Sequence, residues 1–441
     1  MRRGWVKATG LTAAFAALLW LVSGTGTALG QIDEPINLVR GPMGVGARAL
    51  GLGGAYSSVA NDYTALYWNP AGLATIRKME LNVALSHTRH KDDATMGGNA
   101  TTDEMTRTRL NTLGFVVPVP TYRGSLVFAV GYHRPKTFDG SFSFEWFNPT
   151  SDDMVQQRWN EFEEGYLSVW SAGGAIDLSP NLSVGASLNF WGGNNDYQWA
   201  FREFDTDNRY TFDTYLSEDY INTDVKATEL KGGALFRMGR ILRFSATVSA
   251  PKTFRYSEDW GTNTKLTYDD GGVSDSTDSG TSDYELTFPM AFGAGASLHL
   301  LNILLTGDVE YTDWSQVKFK TDPPVADYTR TEANLIIHDR YRATTNVRLG
   351  AEVTLPFTGI QLRGGVAVRP SPLRGASAKD AQKFYSLGLG VLLDKQLKMD
   401  VAWVRGNWKR HTASLTESTD VHDLNESIRR DLFMVTLAFR F

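Results

Sequence analysis

The sequence of 441 residues contains no cysteine, and this absence excludes several kinds of chemistry. A chain without thiols has no disulfide framework, no thiolate metal site, no iron–sulfur cluster and no cysteine nucleophile. Basic residues are not in excess either, because 44 Lys and Arg stand against 49 Asp and Glu, a formal charge of -5. This balance lacks the positive patch typical of nucleic-acid-binding proteins, so we expect no nucleic-acid partner.

Long apolar runs are missing as well. Beyond residue 30, no segment approaches the roughly 18 uninterrupted apolar residues of a membrane-spanning helix. The mean hydropathy of -0.26 agrees with this absence. The absence of long apolar runs excludes only helical membrane proteins, however, because a transmembrane β-strand turns just every second residue towards lipid.

The N-terminus has the three-part layout of a secretory signal peptide. Three basic residues precede an apolar run from Leu11 to Val22, and small residues follow up to Gly30. The alternative is a membrane anchor, but this run is much shorter than the roughly 20 residues that span a bilayer. We therefore expect residues 1–30 to be a signal peptide that is cleaved after Gly30 and directs export.

The rest of the chain alternates with the period of β-strands. In the segment from Ile241 to Ala250, every even position is apolar and Arg, Ser or Thr lies between, and the segment from Phe433 to Phe441 alternates in the same way. Such alternation predicts strands with one apolar and one polar face. Fourteen strands are expected, at about 78–90, 104–117, 124–136, 166–177, 181–196, 224–237, 241–255, 284–299, 302–320, 335–355, 359–370, 382–393, 396–406 and 428–441.

The connections between these strands differ by parity. Those after even-numbered strands are short, at 118–123, 178–180, 238–240, 300–301, 356–358 and 394–395. Those after odd-numbered strands are long and polar, for example 137–165, 197–223, 256–283 and 407–426. Tight turns on one rim and long loops on the other are typical of outer-membrane barrels. The sequence therefore predicts an all-β, 14-stranded antiparallel transmembrane β-barrel over residues 78–441.

Residues 31–77 do not alternate and are rich in glycine. The segments Gly41 to Arg48, Gly51 to Ala55 and Tyr67 to Gly72 fit a compact piece packed inside another structure, because glycine lets backbones approach closely. A phosphate-binding loop is the competing interpretation. It lacks the Gly-Lys-Ser/Thr sequence, and Tyr56 breaks the dinucleotide pattern.

These segments carry a specific resemblance. Gly46 to Ala55, Asn61-Asp62 and Tyr67 to Gly72 resemble the N-terminal hatch of the FadL family of long-chain fatty acid outer-membrane transporters. Further similar stretches are Phe288 to Gly293, Tyr311 to Ser315, Asn346 to Gly350, Ser371-Pro372 and the terminal Phe441. The resemblance implies that residues 31–77 form a hatch, or plug, inside the lumen. It implies gating residues in that plug: Gly53, Gly54, Asn69, Pro70 and Ala71.

The resemblance also implies a function. A FadL-like barrel takes up hydrophobic or amphipathic small molecules passively, and a moving hatch releases them sideways into the outer membrane. It implies a monomer surrounded by lipid and lipopolysaccharide, with Phe441 read by the barrel-assembly machinery. A barrel of the same fold that serves as a secretion accessory or surface-assembly component remains the alternative.

Catalytic and cofactor motifs are not found in the sequence. It has no Gly-x-Ser-x-Gly elbow and no His-Glu-x-x-His zinc motif, so we expect no enzyme, no cofactor and no resident metal. One site is left open, because the acidic segment 258–285 could hold calcium weakly through carboxylates. Its candidate ligands are Asp269, Asp270, Asp275 and Asp278.

Charged residues on the polar face of the later strands have two interpretations. If Val347 and Leu349 face lipid, then the charges between them face the lumen. One interpretation is an internal salt-bridge network that holds the plug, with Arg48 as its contribution. The other is that guanidinium groups receive the carboxylate of an amphipathic ligand. The candidates are Arg340, Arg342, Arg348 and Arg363.

Overall fold

The structure is a computed structural model that describes residues 25–96, 98–148, 154–325, 328–412 and 424–441. Most of the predicted signal peptide, residues 1–24, lies outside this part of the chain. The first helix, α1 (Thr25–Val39), continues across the predicted cleavage position. No helix in the described part of the chain is both long enough and apolar enough to cross a membrane.

Short helices follow α1 before the first strand. They are α2 (Ala47–Gly51), α3 (Ala65–Trp68) and the 3-10 helix η1 (Pro70–Thr75). Asn69 caps η1, because its side-chain oxygen accepts a hydrogen bond from the backbone N–H of Ala71 (3.1 Å), and Pro70 at the first position has no N–H that would need an acceptor. The glycines between these elements allow the sharp turns that fold the segment into a compact plug.

The remaining chain forms a closed antiparallel barrel of 14 strands. In chain order the elements are β1 (Glu80–Met96), β2 (Asn99–Val119), β3a (Leu126–Thr137), β3b (Gly140–Asn148), β4 (Val155–Ser179), β5 (Leu182–Phe204), β6 (Phe212–Met238), β7a (Leu242–Ser249), β7b (Lys252–Tyr268), β8a (Val273–Phe288), β8b (Ala291–Leu300), β9a (Ile303–Asp313), η2 (Trp314–Gln316), β9b (Lys318–Phe319), α4 (Arg330–Arg340), β10 (Ala343–Thr354), β11 (Gln361–Arg369), η3 (Ala378–Asp380), β12 (Gln382–Leu392), β13 (Leu397–Thr412) and β14 (Leu424–Arg440).

Closure and strand breaks follow from the pairing. Strand β1 pairs with both β2 and β14, with Glu80 opposite Arg440, so the sheet has no open edge there. The paired letters denote segments of one barrel strand: β7a and β7b, for example, both pair with β6. The break between them falls at Ala250-Pro251, and the break between β8a and β8b at Pro289-Met290, where proline cannot donate to the ladder.

The predicted alternation is confirmed on the outer surface. In β14 the outward side chains Phe433, Val435 and Leu437 are 40–46% exposed, whereas the inward Met434 and Thr436 are at most 5% exposed. Outward apolar side chains repeat around the barrel and form a belt. Such a belt is stable only against lipid, which is why a chain of polar average composition can span a membrane.

The predicted long loops are wrong. Segments 137–165, 197–223 and 256–283 are mostly ladder, since β4, β5 and β6 run for 25, 23 and 27 residues and β7b pairs with β8a throughout the acidic segment. Where these strands extend beyond the belt, both of their faces meet water. The hydropathy of the sequence therefore no longer alternates there, and the pattern predicts a loop instead of a strand. Part of the fourth long connection, 413–423, lies outside the described residues.

One predicted strand boundary is also wrong. The segment 335–355 begins as helix α4 and becomes strand only at Ala343. A capping box starts this helix: Thr329 accepts from the backbone of Glu332, and the Glu332 carboxylate accepts in return from the backbone of Thr329. This helix is relevant to the site, because it closes one side of the upper lumen, by which we mean the half of the lumen nearer the long hairpins.

Candidate functional site

The upper lumen contains an apolar pocket that helix α1 fills. Ile32 and Ile36 of α1 are fully buried against side chains that point inward from the wall. The wall contributes chiefly aromatic rings, and Tyr256 stacks on Tyr284 with 4.9 Å between ring centroids. The other main members of this pocket are Trp191, Val225, Phe254, Leu286, Phe288, Phe319, Ile337 and Tyr341.

Polar contacts hold α1 in this pocket. Asp33 accepts a hydrogen bond from the Tyr341 hydroxyl (2.8 Å) and pairs with Arg340 (2.7 Å). The Tyr256 hydroxyl donates to the carbonyl of Pro35 (2.7 Å). The helix is therefore fixed at one flank by α4 and at another by β7b, although nothing covalent ties it to either.

An acidic group of the same helix faces other acids. Enclosure by the surrounding wall raises the pKa of Glu34 to about 7, although the side chain reaches solvent inside the lumen, and repulsion from three neighbouring carboxylates acts in the same direction. Those carboxylates belong to Glu163, Glu258 and Glu161. At this level the outer face of the wall is charged, as in the Arg107–Glu164 ion pair (3.2 Å), so the level lies beyond the apolar belt.

Above the pocket, the inner face of the extended wall carries aromatic side chains. Trp159 of β4 lies 5.7 Å from Phe201 of β5, and Phe201 lies 6.1 Å from Trp199 and 6.5 Å from Tyr215 between ring centroids. These four rings form what we call the aromatic ladder. It continues the apolar lining of the pocket up the wall towards the long-hairpin rim.

The body of the plug rests on glycines in the wall. Gly53 has a φ of +68°, which favours glycine, and a Cβ there would collide with the backbone of Val366. On the wall side, a Cβ at Gly350 or Gly365 would collide with the backbone of Leu52. Gly54 lies against Trp68 and Arg348. Of the two predicted gating glycines, Gly53 is thus a point at which the plug and wall backbones touch, whereas Gly54 packs against side chains.

The predicted Asn-Pro-Ala motif lies in a second such contact. The fully buried Asn69 donates from Nδ2 to the carbonyls of Ser57 (2.8 Å) and Ala234 (3.2 Å). Gly233 leaves the space for this amide, because a Cβ there would strike Asn69 Oδ1, and Gly185 does the same for Pro70. Ala71 is fully buried beside them.

Buried charges link the plug to the lower wall. Arg363 is completely buried and pairs with Glu352 (2.6 Å) and Asp400 (2.7 Å), and Glu352 also pairs with Arg48 of the plug (3.0 Å). Arg48 donates in addition to Asn61 (2.6 Å). The structure therefore contains the internal network that the sequence suggested for these charges. Each carboxylate in it has cationic partners, as buried charges require.

The other three candidate arginines are partnered as well. Arg348 pairs with Glu310 (3.2 Å) and lies 5.8 Å from the Trp68 ring centroid, and Arg340 pairs with Asp33. Arg342 differs, because it donates only to the Ser371 carbonyl (3.2 Å) and forms no ion pair within the described residues. The four arginines are thus not brought together into one site.

Strand β3a has an irregularity that the sequence did not reveal. Between His133 and Lys136 it advances by three residues while its partner β4 advances by two, which is a one-residue β-bulge. The carbonyl of Pro135 points to the plug and accepts from the backbone N–H of Met43 (2.8 Å). Lys136 donates to three carbonyls at the end of α1, those of Asn37 (2.6 Å), Leu38 (2.9 Å) and Arg40 (2.8 Å).

The outer surface beside this bulge is indented. A cavity of about 280 Å³ opens towards the belt and is lined by Leu110, Leu113, Tyr132, Arg134 and Trp170. On the inner side, Tyr63 of the plug stacks on His133 at 4.9 Å between ring centroids and fits over Gly114 and Gly131. Plug, bulge and outer cavity therefore lie in line across the wall.

The calcium interpretation finds no support in the geometry. Asp269, Asp270, Asp275 and Asp278 all lie exposed on the hairpin of β7b and β8a. Within the described ranges, no group of three or more acidic or histidine side chains is arranged to hold a metal ion.

Solved structures share this fold over nearly the whole chain. A FadL homologue from Pseudomonas aeruginosa matches with a TM-score of 0.62 at 14% identity, covering 91% of this chain and 100% of its own. The toluene transporter TodX of P. putida matches with a TM-score of 0.61 at 12% identity, covering 91% and 99%. The toluene transporter TbuX of Ralstonia pickettii gives 0.57 at 13%, covering 91% and 100%. No family model and no curated protein sequence matches the chain.

These similarities concern the fold, since all three identities are low. The barrel with an N-terminal plug is the fold of the FadL-type transporters, as the N-terminal motifs predicted.

Proposed function

We propose that this protein is an outer-membrane transporter that passively admits hydrophobic or amphipathic small molecules. The observation that carries the proposal is the aromatic pocket in the upper lumen, where the buried face of α1 makes the contacts that an apolar cargo would make. A concave apolar site with few polar groups is the usual form of a site for hydrophobic ligands. The shared fold with a FadL homologue and with toluene transporters supports the same conclusion.

The route has three parts. The aromatic ladder captures cargo at the outer rim, because every flat or chain-like apolar molecule gains from stacking against rings. Cargo then enters the pocket as it displaces α1. Because Lys136 holds the end of α1 and lies at the bulge of β3a, displacement of α1 also loosens the wall at the point where the outer cavity begins. Cargo leaves sideways there, into the membrane.

The proposal includes a cellular setting, which the apolar belt supports. The barrel lies in the outer membrane of a Gram-negative-type cell as a monomer in contact with lipid and lipopolysaccharide. It is exported by a signal peptide over residues 1–30 and inserted by the barrel-assembly machinery, which reads the exposed Phe441. The proposal includes no catalytic step and no cofactor.

Uptake by whole cells tests the function. Cells that display the protein in their outer membrane should take up radiolabelled toluene or decane faster than cells without it, while uptake of a sugar stays unchanged. Equal hydrocarbon uptake in both strains, together with a protein partner that co-purifies with the barrel, would instead favour the secretion-accessory role.

Deletion of Pro135 tests the lateral exit. Removing one residue restores a regular register in β3a, so we expect a folded barrel with the outer cavity sealed and hydrocarbon uptake lost. Deletion of Thr358, in an exposed turn on the opposite wall, is the matched control and should preserve uptake. Unchanged uptake after the Pro135 deletion would refute exit at this strand.

A carboxylate on the cargo would meet Arg342. This arginine lies close to the pocket beside Tyr341, and its charge has no acidic partner within the described residues. Arg342→Gln should weaken the binding of decanoate and leave the binding of decanol unchanged. Arg340→Gln serves as the control, because its charge already pairs with Asp33. Equal losses for acid and alcohol would remove Arg342 as an anchor.

A further inference from the structure

A second cavity lies at the opposite end of the lumen, near the short turns. It measures about 260 Å³ and lies between the plug segment from Val59 to Asn61 and the wall formed by β7a, β8b, β9a and β10. A buried water occupies roughly 30 Å³, so the space exceeds what one or two waters fill. The lining is mainly polar, and it includes Arg48, Arg243, His299, Asn302 and Glu352.

Arg243 has an uncompensated charge in this cavity. The even-numbered Phe244 and Val248 face outward in the alternation of β7a, so the odd-numbered Arg243 points its guanidinium into the lumen. It forms no hydrogen bond and no ion pair with any residue that the structure describes. The acid that lines the same cavity, Glu352, is already held by Arg48 and Arg363. Arg243 is therefore left with five donors and no acceptor.

His299 provides a second unsatisfied group. Its Nδ1 atom is buried and has no hydrogen-bond partner within the described residues. Its side chain lines the same cavity as Arg243, from the adjacent strand β8b. Because Nδ1 is closed to a water-sized probe, the ring has to turn slightly before this nitrogen can contact a group in the cavity, and such a contact would offset the free-energy cost of leaving it without a partner.

We propose that this cavity binds one oxyanion group, a carboxylate or a phosphate, between Arg243 and His299. The guanidinium fork matches two oxygens of such a group, and a ring N–H of His299 supplies a further donor. A cation is disfavoured, because Arg48 and Arg243 both lie at the cavity and its one acid is neutralised. The site is separate from the aromatic pocket and does not depend on the transport of hydrocarbons.

Two sources carry this chemistry: a free anion of the periplasm and the head group of a lipid or fatty acid. Purified protein in an uncharged detergent is titrated calorimetrically with inorganic phosphate, with octanoate and with dihexanoyl phosphatidylglycerol. Saturable binding of phosphate alone identifies a free anion. Tighter binding of either chain-bearing probe identifies a head group. The proposal is overturned if none of the three binds saturably.

Variants locate the binding. Arg243→Gln should reduce the affinity for the best probe by about tenfold or more, as expected for the loss of a charge-assisted pair. Arg240→Gln is the matched control, because Arg240 lies exposed on the turn just before β7a, forms no ion pair with the residues that the structure describes, and should leave affinity unchanged. Equal affinity in all three proteins would contradict the assignment.

A readout on the unaltered protein covers the case in which Arg243→Gln does not fold. The ring nitrogen resonances of His299, assigned by comparison with His299→Gln, should shift as the probe saturates. Resonances of the exposed His87 should stay in place. Saturable binding without any shift at His299 would place the anion elsewhere and overturn the proposal.

Discussion

Replacing Asn69 by alanine should loosen the plug without unfolding the barrel. The side chain makes three hydrogen bonds, to the carbonyls of Ser57 and Ala234 and from the N–H of Ala71, and it is fully buried. Alanine leaves the Ser57 carbonyl and the Ala71 N–H without partners. The Ala234 carbonyl belongs to a barrel strand, so we expect the loss of its hydrogen bond from Asn69 to cost less free energy.

The size of the effect follows from these contacts. Each buried group left unsatisfied costs about 1–3 kcal/mol, so two of them shift the docking of the plug by about 2–6 kcal/mol. A tenfold change in an equilibrium constant corresponds to about 1.4 kcal/mol, so the open fraction of the plug should rise by about 30-fold at the lower bound and about 20,000-fold at the upper bound. The strand ladder of the barrel does not involve the Asn69 side chain and should remain intact.

Thiol labelling measures this opening cleanly, because the chain has no cysteine. Ser58 is fully buried at the plug–wall contact, 3.4 Å from Thr306 Oγ1, so Ser58→Cys reacts with a maleimide only when the plug opens. Adding Asn69→Ala should accelerate labelling by the factor above, whereas Asn181→Ala in an exposed turn should not. Acceleration below about threefold, with an unchanged circular dichroism spectrum, would refute the anchoring role of Asn69.

The same opening should follow from the wall side. Gly233→Ala places a methyl group where Asn69 Oδ1 lies, so it should accelerate Ser58→Cys labelling as Asn69→Ala does. Gly232→Ala is the neighbouring control, because its Cβ would meet only Val248 at an ordinary 3.5 Å. Similar labelling rates in the two glycine variants would show that the docking of the plug does not depend on the space that Gly233 leaves for Asn69.

Two further predictions concern charged groups. Arg363→Met leaves Glu352 and Asp400 with one cationic partner fewer each and should lower the free energy of unfolding by about 3–5 kcal/mol. Arg405→Met, which removes the part-exposed pair with Asp431, is the control and should lower it by about 1 kcal/mol or less. Comparable thermal denaturation of the two variants would contradict the buried network. Because the pKa of Glu34 is raised to about 7 when α1 is seated and returns to its ordinary value of about 4.5 when α1 is free, seating is favoured at low pH, weakens as the pH rises from about 4.5 to about 7, and changes little above that. Labelling of Ile36→Cys should therefore rise between pH 5 and 7 more steeply than in the same variant with Glu34→Gln, and parallel profiles would exclude this coupling.

The sequence predicted the barrel because its signal is local. Alternation in segments such as Phe433 to Phe441 reports directly which face meets lipid, and tight turns reveal the rim on which they lie. The long hairpins were not predicted as strands because their outer face meets water, so Ser, Thr and Asp in segment 256–283 do not alternate with apolar residues. Pairing of this segment with its neighbour is a long-range property that hydropathy does not encode.

The candidate site was only partly predictable. Motif resemblance located Asn69 and the plug glycines, and the parity of β10 predicted that Arg348 faces the lumen. The bulge at Pro135, by contrast, depends on register against β4. The filling of the pocket by α1 depends on packing between segments that are more than 200 residues apart, as between Pro35 and Tyr256.

The most direct test of the central claim is to locate bound cargo by photolabelling. The purified protein is irradiated with a hydrophobic diazirine probe, with and without excess toluene, and labelled peptides are mapped by mass spectrometry. The account predicts that toluene suppresses labelling of the pocket residues Phe254, Tyr256 and Tyr284, while labelling of the outer belt at Phe433 persists in both samples. Labelling confined to the belt, with none in the lumen that toluene suppresses, would contradict it.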